Sequence, residues 1–203
     1  FTQLLTQGMV LKDGAVMSKS KGNVVDPDDM LAKYGADALR LYAMFVAPPE
    51  KEVEWSDAGL EGSFRFLVRV WRLVDHWAEA VGGEGIPACS GPACTDAERA
   101  LRRKTHETIR RVTLDIEERM HLNTAVSSLM ELVNGLYAFS ETTPHGAPTR
   151  GEPSGGRIER TQTLAVLREA IDALIAMLSP FAPHTAEELW QRLGHPEGLA
   201  AAA

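Results

Sequence analysis

Cysteine is nearly missing from this chain. Its two cysteines, Cys89 and Cys94, lie in a Gly/Pro-rich stretch with no second Cys pair and no nearby His-x-x-x-His. A structural zinc site needs four ligands, so the pair is read as reduced, structurally idle thiols, and no metal ligands are assigned. Long apolar runs are lacking too, and none approaches membrane-spanning length. The start at Phe1 has neither an initiator methionine nor a charged-then-apolar secretory pattern. The expectation is a cytoplasmic chain, with no membrane partner, that is an excerpt of a longer protein. Excess positive charge is absent as well: the formal net charge is −7. That argues against a generic nucleic-acid coat, so any RNA contact must be local.

What is present, 44% apolar and 24% charged residues in 203, suffices for one good core or two small domains. Met9, Val10 and Leu11, then Asp13-Gly14, then Ala15, Val16 and Met17 read as a β-hairpin over 8–17. After it comes Ser18-Lys19-Ser20-Lys21-Gly22-Asn23, in which lysines alternate with serines between flexible glycines. Such a loop can aim ammonium groups, hydroxyls and backbone N–H groups at one anion, as a mobile phosphate clamp. It is not a Walker A loop, and a solvated surface loop is the competing reading. Asp26 N-caps a short helix with Pro27 at its first position, and Gly35 ends it. A second helix spans about 36–46, Pro48 and Pro49 stop it, and 50–55 are expected as an extended linker.

From Ser56 the pattern becomes long amphipathic helices. The first has the expected seam Leu60, Phe64, Leu67, Trp71, Val74 and Ala78. Thr95 to Glu98 reads as a capping box opening a helix with seam Leu101, Thr105, Thr108, Val112 and Ile116. Asn123 is expected to cap a third helix, with Val126, Leu129, Val133 and Leu136 inside. Residues 141–157 read as a mobile loop. A fourth helix carries Leu164, Leu167, Ile171, Leu174 and Leu178. Thr185 to Glu188 reads as a second capping box, and Leu199 to Ala203 as a ragged end. The fold class is therefore mainly α: an antiparallel helix bundle preceded by a short β-hairpin and an α-helical segment.

Met17-Ser18-Lys19-Ser20 resembles the Lys-Met-Ser-Lys-Ser signature of class I aminoacyl-tRNA synthetases, followed in the same way by Asn23 to Pro27 and Tyr34 to Arg40. Lys21-Gly22-Asn23, Glu54-Trp55-Ser56, Gly59 to Gly62, Arg65 to Arg72, Leu122 to Ala125 and Ser179 to His184 with Glu187 to Trp190 are similar to leucyl-tRNA synthetases in particular. Val16 stands where the signature has its first lysine. The resemblance implies that 1–55 are the end of a catalytic domain and a stem-contact segment, and 56–203 a helical anticodon-binding domain. It implies leucine-tRNA ligation with ATP and Mg²⁺, the latter together with a catalytic core not in these residues, and leucine-accepting tRNA as partner of an enzyme acting as a monomer. Lys19 and Lys21 would be catalytic, and Met17, Ser18, Lys19 and Ser20 would bind ATP. Isoleucyl- and valyl-tRNA synthetases share the loop, and a non-catalytic helical module is the alternative.

Arg65, Arg69 and Arg72 fall on one helical face, spaced to meet RNA phosphates. Periodicity leaves a second reading open, a solvated face neutralised by Glu61, Asp75 and Glu79, and the resemblance favours tRNA. The basic run Arg99 to Arg111 is interleaved with acids and reads equally as an ion-pair mesh or a tRNA contact. Trp71, Trp77 and Trp190 are expected as packing residues, and His184 as a structural hydrogen-bonding group. Asp26, Asp28, Asp29 and Asp37 are not taken as a magnesium cluster, since helix starts explain two of them.

Overall fold

The structure is a computed structural model that describes residues 4, 6–82, 95–143 and 154–201, with side chains from Thr161 onward in the last span. The hairpin forms as expected: β1 (Val10–Lys12) pairs antiparallel with β2 (Ala15–Val16), Leu11 opposite Val16. Asp13 and Gly14 both take positive φ, 57° and 70°, which matches the right-handed twist of the two strands. The stretch expected as an extended linker instead contributes a third strand. β3 (Val53–Glu54) runs parallel to β1, and Trp55 N–H donates to Leu11 O at 2.7 Å. A two-residue strand after two prolines carries too little alternation to be read as one. Gly8 makes this approach feasible, because a Cβ there would sit 2.1 Å from the Lys51 carbonyl oxygen.

Helix α1 (Pro27–Tyr34) starts on Asp26, whose carboxylate accepts the Asp28 N–H, and stops at Gly35 with φ 80°. Helix α2 (Ala36–Phe45) buries Ala38, Leu41 and Tyr42 against the long helices. Those are α3 (Asp57–Val81), α4 (Asp96–Glu117), α5 (Leu122–Thr142) and α6 (Ser154–Leu178), followed by α7 (Pro183–Arg192). Cross-helix bonds set their directions. Arg69 meets Asn134 and Trp77 meets Ser140, so α3 and α5 run the same way. Lys104 meets Glu131 while Asp115 meets Thr124, so α4 opposes α5. Glu98 meets Thr163 and Arg102 meets Glu169, so α6 follows α4. Successive helices are thus antiparallel, the expected bundle. Its core holds Trp77, Leu129, Leu136, Leu167, Ile171 and Leu174 at full burial, each aliphatic one contributing about 1.5–3 kcal/mol. No helix among the described residues is long and apolar enough to cross a membrane.

Several local expectations are corrected. The buried stripe of α3 is Leu60, Ser63, Phe66, Leu67, Val70, Leu73, Val74 and Trp77, whereas Phe64 is exposed and Trp71 and Ala78 only half-buried. Ser63 misled the pattern: its hydroxyl donates back to Gly59 O, which lets a polar residue sit in the seam. The Thr95–Glu98 capping box forms with both bonds. At α5, however, the N-cap is His121 rather than Asn123, and Asn123 lies in the first turn. The second capping box does not form either. Helix α7 begins at Pro183, and Thr185 turns to α2 instead. Leu199 to Ala201 is not ragged: it makes a 3₁₀ turn, with Leu199 buried and its N–H on Glu187. The loop expected over 141–157 is shorter, since α5 runs through Thr142 and α6 starts at Ser154. Cys89, Cys94 and residues 144–153 lie outside the described residues.

Candidate functional site

The Ser/Lys stretch leaves the sheet at edge strand β2 and closes at once into a single 3₁₀ turn, Lys19–Lys21. Ser18 precedes it in extended conformation, and Gly22 ends it with φ 69°, a position that favours glycine. The stretch is therefore a held turn rather than a loose loop. Asn23 holds it. Its Oδ1 accepts the Ser18 N–H at 2.8 Å, and its Nδ2 reaches the carbonyls of Lys12 at 3.0 Å, Ala15 at 3.3 Å and Val16 at 3.4 Å. One amide thus ties the turn to the hairpin that presents it. The Ser18 and Ser20 hydroxyls bond to each other at 2.6 Å, which commits one of their two protons and leaves one to donate outward. Lys19 and Lys21 are exposed and pair with nothing among the described residues. Two unneutralised ammonium groups on a fixed turn are suited to an anion. Met17 is half-buried beside them, and Val16 is 41% exposed on β2.

The arginines of α3 separate into two kinds. All three are exposed. Arg69 donates to Asn134 Oδ1 at 2.9 Å and lies 5.1 Å from the Tyr137 ring, whose hydroxyl donates to the Arg69 carbonyl. Arg65 and Arg72 have no partner among the described residues. Of the acids expected to neutralise this face, Asp75 pairs instead with Arg192 of α7 at 2.5 Å. On α4, Arg102 binds Glu169 at 2.8 Å, and Lys104 and Arg111 share Glu131 at 2.5 and 3.6 Å. Burial pushes the Glu169 carboxyl up, but the Arg102 and His106 contacts outweigh it and hold the group below its usual 4.5. This run is largely an ion-pair mesh, with Arg103 and Arg110 left exposed.

Asp37, at the start of α2, joins the two halves. Its carboxylate accepts from the His184 ring at 2.9 Å, from the His184 N–H at 3.4 Å, and from the Thr185 N–H and hydroxyl, each at 2.6 Å. It therefore caps α7 across the interface, supplying the acceptor that Ala182 lacks. The sequence carries no local signal for this role of Asp37, because a cap supplied from 147 residues away leaves no local spacing. The role of Asn23 is likewise unmarked by any spacing to its distant carbonyl partners, although an Asn after Gly is a common turn former.

A family model described as the anticodon-binding domain of tRNA ligase matches residues 98–203, and one for class I tRNA synthetases (I, L, M and V) matches residues 1–56. Two similar curated proteins are the leucine–tRNA ligases of Geotalea uraniireducens and Syntrophobacter fumaroxidans, 50% and 53% identical over 200 residues. Each alignment covers 98% of this chain and 22% of the relative, so the chain spans about a fifth of their length. A similar solved structure is that of the Agrobacterium radiobacter K84 agnB2 LeuRS in a ternary complex with tRNA and LeuAMS. It superposes with a TM-score of 0.78 at 31% identity, covering 96% of this chain and 22% of that one. With the first of these models matching more than half of its length, the chain belongs to the family of tRNA-ligase anticodon-binding domains.

Proposed function

We propose that these residues supply the signature turn and the tRNA-binding bundle of a leucine–tRNA ligase, 1–55 serving the catalytic domain and 56–203 the tRNA. The observation that carries this reading is the similarity to leucine–tRNA ligases, which runs through both the turn and the bundle over 98% of the chain. Such an enzyme joins leucine to the α-phosphate of ATP, releasing pyrophosphate, and then passes the leucyl group to the terminal ribose of the tRNA.

In the first step negative charge grows on the departing pyrophosphate. Lys19 meets that charge, and Lys21 assists it. The Ser18–Ser20 pair offers its one free proton to a phosphate oxygen, and Met17 flanks the bound nucleotide. Unpaired cations held on a fixed turn cost no reorganisation as the charge forms, so they act chiefly on the transition state. No group of three or more His, Cys, Asp or Glu side chains that could hold a metal occurs among the described residues. Any Mg²⁺ in the reaction would be held with the catalytic core and the nucleotide phosphates, to which it would supply charge neutralisation. On α3, Arg65 and Arg72 contact tRNA phosphates, while Arg69 is held by Asn134 and Tyr137 and completes the face.

The test is a chimera in which these residues replace the matching 200-residue segment of the Geotalea uraniireducens ligase. The chimera is expected to catalyse leucine-dependent ATP–pyrophosphate exchange, and Lys19→Ala to slow adenylate formation by about a hundred- to a thousandfold with little loss of ATP affinity. No leucine-dependent exchange by a folded chimera, or equal losses in binding and chemistry on Lys19→Ala, would overturn the reading. The unmodified 203-residue chain should show no exchange, because residues for an adenine and a leucine pocket are not among its own.

A further inference from the structure

Beside the arginine face lies a cleft of about 410 Å³, formed where the α1–α2 corner meets α3 and the start of α7. Its walls are Tyr34, Phe64, Val68, Trp71 and His184, with the Asp37 carboxylate among its lining. Two of these rings are accessible, whereas Tyr34 and Trp71 are half-buried against the core, Trp71 with the Arg192 guanidinium 5.6 Å from its ring. Phe64 is 37% exposed, and the His184 side chain is 78% exposed. Phe64 meets Tyr34 edge to face, ring centroids 5.7 Å apart, which leaves ring surface turned to the opening.

We infer that this cleft receives an unstacked nucleobase of the bound RNA, an inference that rests on the tRNA-binding reading above. Three features select that occupant. First, Phe64 and Trp71 are seven residues apart on α3, and Arg65 and Arg72 follow each by one position. An aromatic stripe and a basic stripe thus run side by side, the members of each separated by about 10 Å of helix rise. A strand whose phosphates lie on the arginines can turn a base toward the aromatic side, the arrangement by which proteins hold single-stranded nucleic acid. Second, exposed arginines flank the cleft within a chain of net charge −7. Arg65 and Arg72 have no partner among the described residues, and Lys33 lies 4.8 Å from the Tyr34 ring, with Glu61 and Asp57 as nearby acids. Third, His184 uses Nδ1 on ionised Asp37, so in its neutral form Nε2 is an acceptor. That atom suits an exocyclic amino group or ring N–H on a base edge.

Binding of a leucine-accepting tRNA transcript to the full 203-residue chain, titrated at several KCl concentrations, tests this. Phe64→Ala is expected to weaken binding about five- to a hundredfold at every salt concentration, leaving the salt slope unchanged, since the stacking of one base is lost and no charge is. Phe64→Leu retains apolar volume against Tyr34 and preserves packing, so it should fold like the parent and still lose most of that affinity. A transcript carrying 4-thiouridine should photocrosslink within Phe64–Trp71 and cease to do so in Phe64→Leu. If Phe64→Leu binds as the parent does, or the crosslink falls elsewhere, the cleft is an apolar seat for protein and the inference fails alone. If the parent chain binds no tRNA, the broader functional reading fails and takes the inference with it.

Discussion

Asp37 gathers hydrogen bonds from the ring and N–H of His184 and from the hydroxyl and N–H of Thr185, and it is buried. Burial pushes its carboxyl up, but the bonds from Thr185 and His184 outweigh that and hold it below the usual 3.8. On acidification the unfolded chain therefore takes up the proton first. The stabilisation is complete above the ordinary value and is lost as pH falls through the lower folded one. Asp37→Asn should cost about 1–3 kcal/mol in urea unfolding at neutral pH, with the gap to the parent closing below about pH 3.8. An unchanged gap at acid pH would mean that the carboxylate charge is irrelevant. Asn23 offers a contrast, since it orders a turn and not the core. In the chimera, Asn23→Ala should lower the rate of adenylate formation while leaving the unfolding midpoint nearly unmoved. Val16 is exposed on β2, so Val16→Lys should be tolerated, and if the signature's first lysine normally contributes, the rate should rise. Single-turnover measurements of both variants decide the matter.

Among the helices, what could be read from sequence was whatever local rules set. Asp26 with Pro27, Thr95 with Glu98, and the seams of α5 and α6 all follow from residues within one or two turns of each other, whereas the seam of α4 ends on buried Asp115 with Ile116 only half-buried. Several of the errors arise where a distant partner overrode the local pattern. Thr185 and Glu188 have capping-box spacing, yet Asp37 takes Thr185. Phe64 and Trp71 have seam spacing, yet they face the cleft, and Ser63 occupies the core. The 3₁₀ turn at Lys19–Lys21 was legible as a bend but not as a fixed one, because Asn23 fixes it through carbonyls on the hairpin. The capping box at α4 makes a further prediction. Glu98 is 4% exposed and serves two elements: Oε2 accepts the Thr95 N–H at 2.7 Å, and Oε1 accepts the Thr163 hydroxyl of α6 at 2.6 Å. Thr95→Ala should cost about 1 kcal/mol as an ordinary cap loss. Glu98→Ala should cost about 2–3 kcal/mol, because it also removes a buried link between helices. Equal costs by chemical unfolding would show that the Thr163 contact contributes nothing.

At the scale of the whole molecule, the proposed function requires a chain of net charge −7 to bind a polyanion through a small surface. The ion pairs sort the basic residues for this task. Arg102, Lys104, Arg111 and Arg192 are engaged by Glu169, Glu131 and Asp75. Their charge is largely neutralised before any RNA arrives. Arg65 and Arg72 are exposed and unpaired among the described residues, and they lie on the helix that also carries the aromatic stripe. Each phosphate neutralised releases condensed counterions, so the slope of log affinity against log salt counts contacts. Arg65→Gln and Arg72→Gln should each reduce that slope by about 1, and together by about 2. Arg69 behaves differently, because its guanidinium is spent on Asn134 and stacked on Tyr137. Arg69→Gln should lower the unfolding midpoint while changing the slope less than either neighbour does. If all three variants flatten the slope equally, then Arg69 leaves Asn134 to meet the RNA, and the face acts as the single basic stripe that its spacing suggests. If none does, the arginines of α3 are solvated surface, and the contact with tRNA lies elsewhere on the bundle.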